Sequence, residues 1–360
     1  MRILILANDA EGLYKFRKEL IQEMLAKENQ VYISLPDGKF IKNLAQMGCK
    51  FINTSVDRRG INPKTDAKLM FCYMKLIKKI RPNMVLTYTI KPNIYGGMMC
   101  RFLHTPYAVN ITGLGTAFQN DGMIKKLVTF LYKLSLKKAK VVFFENIGNQ
   151  KLMLNIGVCK KEQACLLNGA GVNLEEYPFC EYPPEGETRF LFIGRVMKEK
   201  GVDELFEVAE KIREEKKDVF FDIVGPMEDD YKERIDDLVR KEIIAYHGYQ
   251  ADVKPFIERC HCFILPSYHE GMANTLLEAA AMGRPLITSR IHGCMEVVDE
   301  GENGYLVKSQ DAGALLKEVK VFLTLTYEQK EKMGRVSRGV VRERFDKQEV
   351  VGNTIRELER

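Results

Sequence analysis

Residues 269–279 read HEGMANTLLEA and carry two carboxylates eight positions apart, Glu270 and Glu278. Just before them, residues 262–266 read CFILP, an apolar run typical of a short buried strand that a proline closes. Just after the loop, residues 275–282 consist mostly of strong helix formers. The pattern therefore predicts a strand, a tight loop and a helix start. Unpaired backbone N–H groups and the positive end of the helix dipole at that start suit a phosphate group.

This segment, with its Glu-Gly start and Asn274 before the helix, resembles the signature of retaining glycosyltransferases of family 4. The resemblance implies the GT-B fold, in which two Rossmann-like domains face each other across a cleft. It also implies that Glu270 binds and orients the donor sugar and that Glu278 holds the ribose. The implied donor loop consists of Gly271, Met272, Ala273, Asn274, Thr275 and Leu276. The alternative is a buried α/β turn whose two Glu residues only cap and solvate a helix.

A second motif follows another apolar run, where residues 194–201 read GRVMKEKG. Gly194 lets the backbone turn sharply, Arg195 can bind phosphate oxygens with two donors, and Lys200 supplies a mobile charge. The motif resembles the Gly-Arg-x4-Lys-Gly of family 4, which implies that Arg195 and Lys200 grip the donor diphosphate in place of Mg²⁺. We therefore expect no metal and no other cofactor. The alternative is an exposed basic turn.

Weaker signals lie around these motifs. Tyr249 follows an apolar run and either borders the nucleobase or simply packs. The acidic residues 228–230 stand where a helix is expected to begin, and the helix dipole explains them. Glu296 either approaches the nucleotide or caps a helix, and capping is the preferred interpretation. The run Cys260-His261-Cys262 lacks a second pair at ligand spacing, so it favours packing over a metal site.

Composition and charge describe an ordinary globular protein of 360 residues with an uneven charge distribution. Residues 1–180 hold 27 Lys and Arg against 13 Asp and Glu, whereas residues 181–360 hold 28 against 36. The basic half favours an anionic lipid surface or a lipid-linked diphosphate, because no nucleic-acid motif appears. Nine unevenly spaced cysteines favour reduced thiols in the cytosol, and no apolar run is long enough to span a membrane.

Apolar runs alternate with helical patterns along the chain, which predicts an α/β fold with two doubly wound parallel sheets. The first domain is predicted over residues 1–172, a proline-rich linker over 173–187, and the donor domain over 188–344. In proteins of the GT-B fold the C-terminal helix, here residues 345–360, crosses back onto the first domain.

The first half resembles the family less closely. Gly12 is the one glycine left in the loop after the first strand, and residues 110–116 read NITGLGT where many members carry a histidine. The Phe16-Arg17 pair and the Gly-Leu-Gly segment resemble the branch that acts on polyprenyl-diphosphate-linked sugars. On this basis Gly12, Arg17, Asn110 and Thr112 are expected on the acceptor side, and the family's histidine has no evident replacement.

One helical pattern in the first half combines apolar and basic stripes. Ile124, Leu127, Leu131 and Leu134 repeat at helical spacing, and the basic stripe consists of Lys126, Lys133, Lys137 and Lys140. Such helices suit anionic membrane surfaces. The alternative is a core-packed helix with a solvated lysine face.

The sequence therefore predicts an enzyme that moves a hexose, N-acetylhexosamine or uronic acid from a UDP-sugar to a lipid-linked saccharide, for capsule or other surface polysaccharide. We expect it in the cytoplasm, bound peripherally to the inner face of the membrane. Two alternatives are a UDP-sugar 2-epimerase of the same fold and a non-catalytic subunit that binds nucleotide sugar.

Overall fold

The protein forms two compact units. The structure is a computed structural model, and it describes residues 1–57, 60, 62–115, 118 and 122–360. The first unit consists of Met1–Ala170 and Lys347–Arg360, and the second of Gly171–Asp346. Residues 173–187, which the sequence suggested as a linker, belong to the second unit.

A seven-stranded parallel sheet forms the first unit. Its strands are β1 (Arg2–Leu6), β2 (Gln30–Leu35), β3 (Lys50–Asn53), β4 (Met84–Tyr88), β5 (Tyr107–Ile111), β6 (Val141–Phe144) and β7 (Ala164–Leu166). Their order is β3-β2-β1-β4-β5-β6-β7. The sequence pattern missed β3 and β7, because these edge strands are short and only partly buried and so lack a continuous apolar run.

Among the described residues, six α-helices connect and cover the strands of this sheet. They are α1 (Ala10–Ala26), α2 (Ile41–Gln46), α3 (Pro63–Ile80), α4 (Gly97–Phe102), α5 (Met123–Leu136) and α6 (Ile147–Asn155), with a π-helical turn over Pro92–Gly96. The sequence pattern predicts this first helix from Tyr14, but α1 begins four residues earlier, because the Asp9 side chain accepts a hydrogen bond from the Gly12 amide at 2.8 Å and caps the helix.

A six-stranded parallel sheet forms the second unit. Its strands are β8 (Thr188–Ile193), β9 (Val219–Val224), β10 (Ala245–Tyr246), β11 (Cys262–Leu265), β12 (Leu286–Ser289) and β13 (Gly304–Val307). Their order is β10-β9-β8-β11-β12-β13. The helices are α7 (Val202–Glu215), α8 (Lys232–Arg240), α9 (Lys254–Arg259), α10 (Asn274–Ala281), α11 (Ala312–Thr324) and α12 (Tyr327–Arg344). The predicted α/β class with two doubly wound sheets is confirmed.

The last helix, α13 (Lys347–Glu359), packs in the first unit against α1. The ammonium of Lys27 lies 2.6 Å from Glu359, and the ammonium of Lys347 donates to the Phe16 carbonyl at 3.2 Å. The sequence pattern predicts one helical, charged segment from Lys330 to Arg360, whereas the structure has two helices there, α12 and α13, with a break at residues 345 and 346.

Strand order places a switch point in each unit, between β1 and β4 in the first sheet and between β8 and β11 in the second. Open parallel sheets bind ligands at the carboxyl ends of the strands beside such a point. Among the residues that the structure describes, no helix combines the length and the apolar character needed to cross a membrane.

Candidate active site

The carboxyl ends of β8 and β11 bring together two side chains that stand 70 positions apart in the sequence. The ammonium of Lys200 lies 2.5 Å from Glu270 Oε1, and Ser267 Oγ donates to the same oxygen at 2.8 Å. The side chains of Lys200 and Glu270 are 18% and 12% exposed. A cation and a carboxylate thus meet at the switch point with little water around them, which strengthens their electrostatic interactions with any ligand.

Gly201 explains why the two loops lie so close. It has φ +70, and a Cβ at this position would stand 2.1 Å from the Pro266 carbonyl oxygen. The backbone after β8 therefore packs directly on the end of β11, which only glycine allows. The Tyr268 amide also donates to the Glu199 carbonyl at 2.9 Å. The Lys200 loop is consequently fixed against the loop that carries Glu270.

The other side of the Glu270 loop packs on Gly293. A Cβ at Gly293, which has φ +92, would stand 2.5 Å from the Gly271 carbonyl oxygen. The Glu296 carboxylate accepts a hydrogen bond from the Gly293 amide at 2.7 Å and one from His292 at 2.8 Å. Glu296 therefore shapes the Glu270 loop through Gly293.

Two backbone amides of the predicted donor loop form hydrogen bonds within the structure. The Ala273 amide donates to the Gly293 carbonyl at 2.9 Å, and the Leu276 amide donates to the Ala273 carbonyl at 3.0 Å. The side chains of Met272, Ala273 and Leu276 are buried in the core, whereas Asn274 and Thr275 at the start of α10 are half-buried. The loop uses these two donors to close on itself, and the donor contacts expected of the loop stay a prediction.

Arg195 follows Gly194 at the end of β8 and is about half exposed. Its guanidinium donates to Glu228 at 2.9 Å, and the Lys198 amide donates to Asp229 at 2.9 Å. The acidic residues 228–230 do not begin a helix, because α8 starts at Lys232. The sequence interpretation of this triplet is wrong: two of its carboxylates bind the loop that carries the predicted diphosphate cations.

Glu278 lies in α10, about one turn after the helix begins at Asn274, whereas Glu270 lies in the loop before the helix. Burial, followed by the charge of Glu278, raises the pKa of Tyr177. Sequence analysis missed Tyr177 because it assigned its segment to a linker. The only signal was an aromatic residue next to Pro178.

Tyr249 is 40% exposed and follows β10 on a loop that neighbouring side chains hold by hydrogen bonds. The Gln250 side chain donates to the His247 carbonyl at 2.7 Å, and His247 Nε2 lies 2.6 Å from Asp222, which is buried. These contacts fix the loop without involving the Tyr249 ring, whose contact with a nucleobase stays a prediction.

Cys260, His261 and Cys262 are all buried in the second unit. His261 Nδ1 accepts from the Arg189 amide at 3.1 Å, its Nε2 lies 3.2 Å from the Pro184 carbonyl, and burial lowers the pKa of His261. Within the described residues, no three His, Cys, Asp or Glu side chains are placed to hold a metal ion. All nine cysteines are free thiols.

The first unit buries the cation that was expected to face the acceptor. Arg17, 7% exposed, forms an ion pair with Glu145, and its guanidinium stands 5.3 Å from the centre of the Tyr88 ring. Burial raises the pKa of Glu145, and the Arg17 charge opposes that rise. Gly12 lies in the first turn of α1, where its amide donates to the Asp9 side chain that caps the helix. Gly12 therefore lies in a helix rather than in the loop after β1, and the acceptor role of both residues stays a prediction.

Asn110 is buried in a polar network at the end of β5. Its side-chain amide donates to the Thr87 carbonyl at 3.3 Å, and its own carbonyl accepts from Asn93 at 2.9 Å. Asn110 therefore joins β4 and β5 to the π-helical turn. Thr112 is half-buried in the loop after β5, and Thr116, the last residue of the predicted motif, lies outside the described residues.

Helix α5 exposes apolar side chains as well as lysines. Met123, Ile124, Leu127 and Phe130 are 87%, 51%, 49% and 57% exposed. Lys126, Lys133, Lys137 and Lys140 are also exposed. The sequence pattern predicts this helix over residues 123–138, but it ends at Leu136, so Lys140 lies beyond it and donates to the Leu358 carbonyl at 2.8 Å. The start of α5 is therefore not core-packed, contrary to the alternative interpretation.

Comparison with known proteins agrees with this geometry. The family described as Glycosyl transferases group 1 matches residues 175–339, and Glycosyl transferase 4-like matches residues 2–146. A Campylobacter jejuni relative, N,N'-diacetylbacillosaminyl-diphospho-undecaprenol alpha-1,3-N-acetylgalactosaminyltransferase, is 27% identical over 90% of this chain and 89% of its own length. A Staphylococcus aureus relative, the capsular polysaccharide biosynthesis glycosyltransferase CapM, is 22% identical over 82% of this chain and 81% of its own length.

Among solved structures, Anabaena HepE in complex with UDP and glucose superposes with a TM-score of 0.82 over 100% of this chain and 99% of that one, at 14% identity. The fold is thus GT-B, and the chain belongs to the glycosyltransferases of family 4.

Proposed function

We propose that the protein is a retaining glycosyltransferase that moves a sugar from a UDP-sugar to a polyprenyl-diphosphate-linked saccharide during surface polysaccharide assembly. The contact between Lys200 and Glu270 at the β8–β11 switch point carries this proposal. Support for the donor comes from the UDP in the HepE structure, and support for the acceptor comes from the diphospho-undecaprenol in the name of the Campylobacter relative.

The two cations bind the donor diphosphate by exchanging partners. Lys200 and Arg195 each contact a carboxylate, Glu270 and Glu228, and a diphosphate provides oxygens of higher charge at the same positions. When Lys200 turns to the diphosphate, Glu270 accepts hydrogen bonds from the sugar hydroxyls and orients the ring. The cations stabilise the charge that develops on the departing UDP, so the reaction needs no metal ion.

No enzymic nucleophile is required in this scheme. The acceptor hydroxyl attacks the anomeric carbon on the face that the UDP leaves, the bond between that carbon and the phosphate oxygen breaks, and the departing phosphate takes the acceptor's proton. Loop backbone and side chains only position the reactants, which is where much of an enzyme's rate enhancement arises.

The first unit binds the cytoplasmic face of an anionic membrane through α5. Its exposed apolar side chains enter the interface and its lysines contact lipid phosphates, which together suit a helix that lies on a membrane. The acceptor's polyprenyl chain is held in the same membrane, so this attachment brings the enzyme to its substrate.

A panel of UDP-sugars, offered with and without a short lipid-diphosphate saccharide, tests the proposal. Transfer of the sugar to the lipid, with the anomeric configuration of the donor kept, is the expected result. Conversion of the donor to an isomer without acceptor would indicate a 2-epimerase, and binding without turnover would indicate a partner subunit. The Lys200→Ala variant, which lacks the cation, is the negative control for transfer.

A further inference from the structure

The turn after β4 carries a cation that the scheme above does not use. The ammonium of Lys91 lies 2.7 Å from one carboxylate oxygen of Asp66 in α3, and the Tyr95 hydroxyl donates to the other oxygen at 2.7 Å. The side chains of Lys91 and Asp66 are 14% and 12% exposed. Since β4 is one of the two strands beside the switch point of the first sheet, this pair lies where open parallel sheets bind ligands.

The backbone of the same turn adopts two uncommon conformations. Thr89 follows β4 directly and has φ +71, a left-handed conformation that is strained for a β-branched residue. Pro92 then begins the π-helical turn, a form that is rare and frequent at functional sites. Asn93, 1% exposed, accepts from the Thr87 hydroxyl at 2.7 Å and donates to the Asn110 carbonyl at 2.9 Å. Hydrogen bonds to β4 and β5 thus hold the strained turn that carries Lys91.

The turn also packs against α5, the helix proposed to lie on the membrane. A Cβ at Gly97, just after the turn, would lie 3.2 Å from the Cβ and from the carbonyl oxygen of Ser135 in α5. Arg101 of α4 donates to the Leu134 carbonyl in α5 at 2.8 Å. The element that carries Lys91 is therefore joined to the proposed membrane helix. In a polyprenyl-diphosphate acceptor, the diphosphate lies at that surface, between the lipid and the saccharide.

We propose that Lys91 binds the diphosphate of the lipid-linked acceptor, and that Asp66 and Tyr95 hold its ammonium in position until the acceptor arrives. This inference rests on the proposed function. A diphosphate provides oxygens of higher charge than a carboxylate, so the ammonium exchanges Asp66 for the acceptor, as Lys200 exchanges Glu270 for the donor. Asp66 keeps the hydrogen bond from Tyr95 during this exchange. Because burial raises the pKa of Tyr95, its hydroxyl stays protonated and donates at neutral pH.

The test compares two acceptors, without vesicles, that carry the same saccharide on the same short prenyl chain. One is joined through a diphosphate and the other through a glycosidic bond, and the parent is expected to have the lower KM for the diphosphate acceptor. In Lys91→Met the ratio of the two KM values is expected to shrink at least about tenfold, the effect of one charge-assisted contact. Lys68→Met is the matched control, since Lys68 is an exposed lysine of the helix that carries Asp66.

Two further variants separate diphosphate binding from a structural ion pair. Asp66→Asn breaks the same pair but keeps the cation, and Lys91→Arg keeps the charge. Both are expected to retain most of the preference for the diphosphate acceptor, whereas a purely structural pair predicts equal effects of Asp66→Asn and Lys91→Met. If the lone Asp66 carboxylate prevents Lys91→Met from folding, the double variant with Asp66→Asn removes both charges and is measured in its place.

Sedimentation with anionic vesicles distinguishes the acceptor from the phosphates of membrane lipids. Weaker sedimentation of Lys91→Met with an unchanged KM ratio would overturn the inference and assign the lysine to a lipid headgroup. Equal KM values of the parent for the two acceptors, or an equal loss of preference in Asp66→Asn and Lys91→Met, would also overturn it, while transfer by the parent still supports the proposed function. A parent protein that transfers sugar to neither acceptor would contradict the proposed function itself.

Discussion

The two units share a strand order around their switch points, but they place charged side chains there in different environments. In the second unit Arg195 and its partner Glu228 are 46% and 30% exposed, and they stand with Lys200 on loops at strand ends. In the first unit the side chains of Arg17 and Glu145 are each 9% exposed, and they join α1 to the end of β6 beside the Tyr88 ring. The comparison teaches that a charge near a strand end indicates a ligand site only when it stands on a loop where its partner can be exchanged.

The sharpest way to break this comparison is to remove the buried cation. Arg17→Met leaves the Glu145 carboxylate buried without its counter-charge, which costs about 3 to 5 kcal/mol of unfolding free energy. Chemical denaturation followed by circular dichroism measures this loss. UDP affinity, measured in the folded variant, is expected to stay at the parent's level, because the donor site lies in the other unit.

The double variant Arg17→Met with Glu145→Met separates structure from acceptor binding. Replacing both partners removes the buried charge, so most of the stability returns. If Arg17 is only structural, transfer activity returns with it. A stable double variant with no transfer activity would show that Arg17 serves the acceptor after all, and the contrast between the units would fall.

In the second unit we expect the largest effect on rate rather than on stability. Lys200→Ala and Arg195→Ala each lower turnover at least about a hundredfold, comparable to the loss of one oxyanion-stabilising donor. Steady-state rates with a saturating acceptor give the measurement. Lys198→Ala is the matched control, since it is an exposed lysine of the same loop and its amide, not its side chain, binds Asp229.

Near-normal turnover in either variant would remove the diphosphate assignment. The Lys200→Ala result also bears on Glu270, because this variant removes the ammonium that contacts the Glu270 carboxylate. If Lys200→Ala lost stability rather than turnover, the second unit's pair would resemble the buried pair of the first.

Membrane binding tests the charge difference between the halves of the chain. Changing Lys126, Lys133, Lys137 and Lys140 to Gln is expected to weaken sedimentation with anionic vesicles at least about tenfold, at roughly 1 kcal/mol per lysine near the lipid. UDP affinity should not change. Salt at 1 M, where charges reach only about 3 Å, should release the parent protein similarly.

The matched control changes four exposed lysines of the second unit, Lys211, Lys217, Lys232 and Lys241, to Gln. It removes the same net charge, so a loss confined to the first set places the attachment in α5 and its continuation. Equal sedimentation of the parent and of the first variant would show that the lysines only solvate a helix face. In that case Ile124→Ser with Phe130→Ser tests whether the exposed apolar side chains bind the membrane instead.

A smaller effect concerns Lys347, which anchors α13 in the first unit beside Glu19, 3.8 Å away. Burial lowers the pKa of Lys347 from its ordinary value to about 8. Between pH 8 and about 10 the unfolded chain therefore binds more protons here than the folded one, so stability from this residue rises with pH. We expect the denaturation midpoint of the parent to rise relative to Lys347→Met between pH 7.5 and 9.5. Parallel midpoints would contradict the burial of a titrating lysine.

The sequence was sufficient for the fold class because its buried parallel strands are continuous apolar runs. The sequence pattern predicts strands over residues 219–224, 262–265 and 304–307, and β9, β11 and β13 have these bounds. Edge strands β3 and β7 could not be found, because they are half-exposed and their residues follow no period. The start of α1 was missed because a cap depends on one side-chain hydrogen bond, which the helical period does not show.

For the site, short motifs located the loops but not their contacts. The motif residues Lys200 and Glu270 meet in the structure, whereas nothing in the sequence showed that Glu228 binds Arg195 or that Gly293 occupies the Ala273 amide. Such pairings depend on distances between separate loops. Burial of Arg17 likewise depends on its pairing with Glu145, 128 positions further along the chain, which no local pattern records.

The smallest expected effect is that of a chelator on the second unit's site. We propose that EDTA changes turnover less than about twofold, because Lys200 and Arg195 supply the positive charge that Mg²⁺ provides in other enzymes that transfer groups from nucleotides. The nearest acidic triplet, residues 228–230, already uses Glu228 on Arg195 and Asp229 on the Lys198 amide, so it offers a metal few ligand atoms. Turnover is measured before and after dialysis against EDTA, with Mg²⁺ or Mn²⁺ added back. Loss of activity that either ion restores would mean that the cations of the second unit, like Arg17 of the first, serve structure, and that the diphosphate is bound in another way.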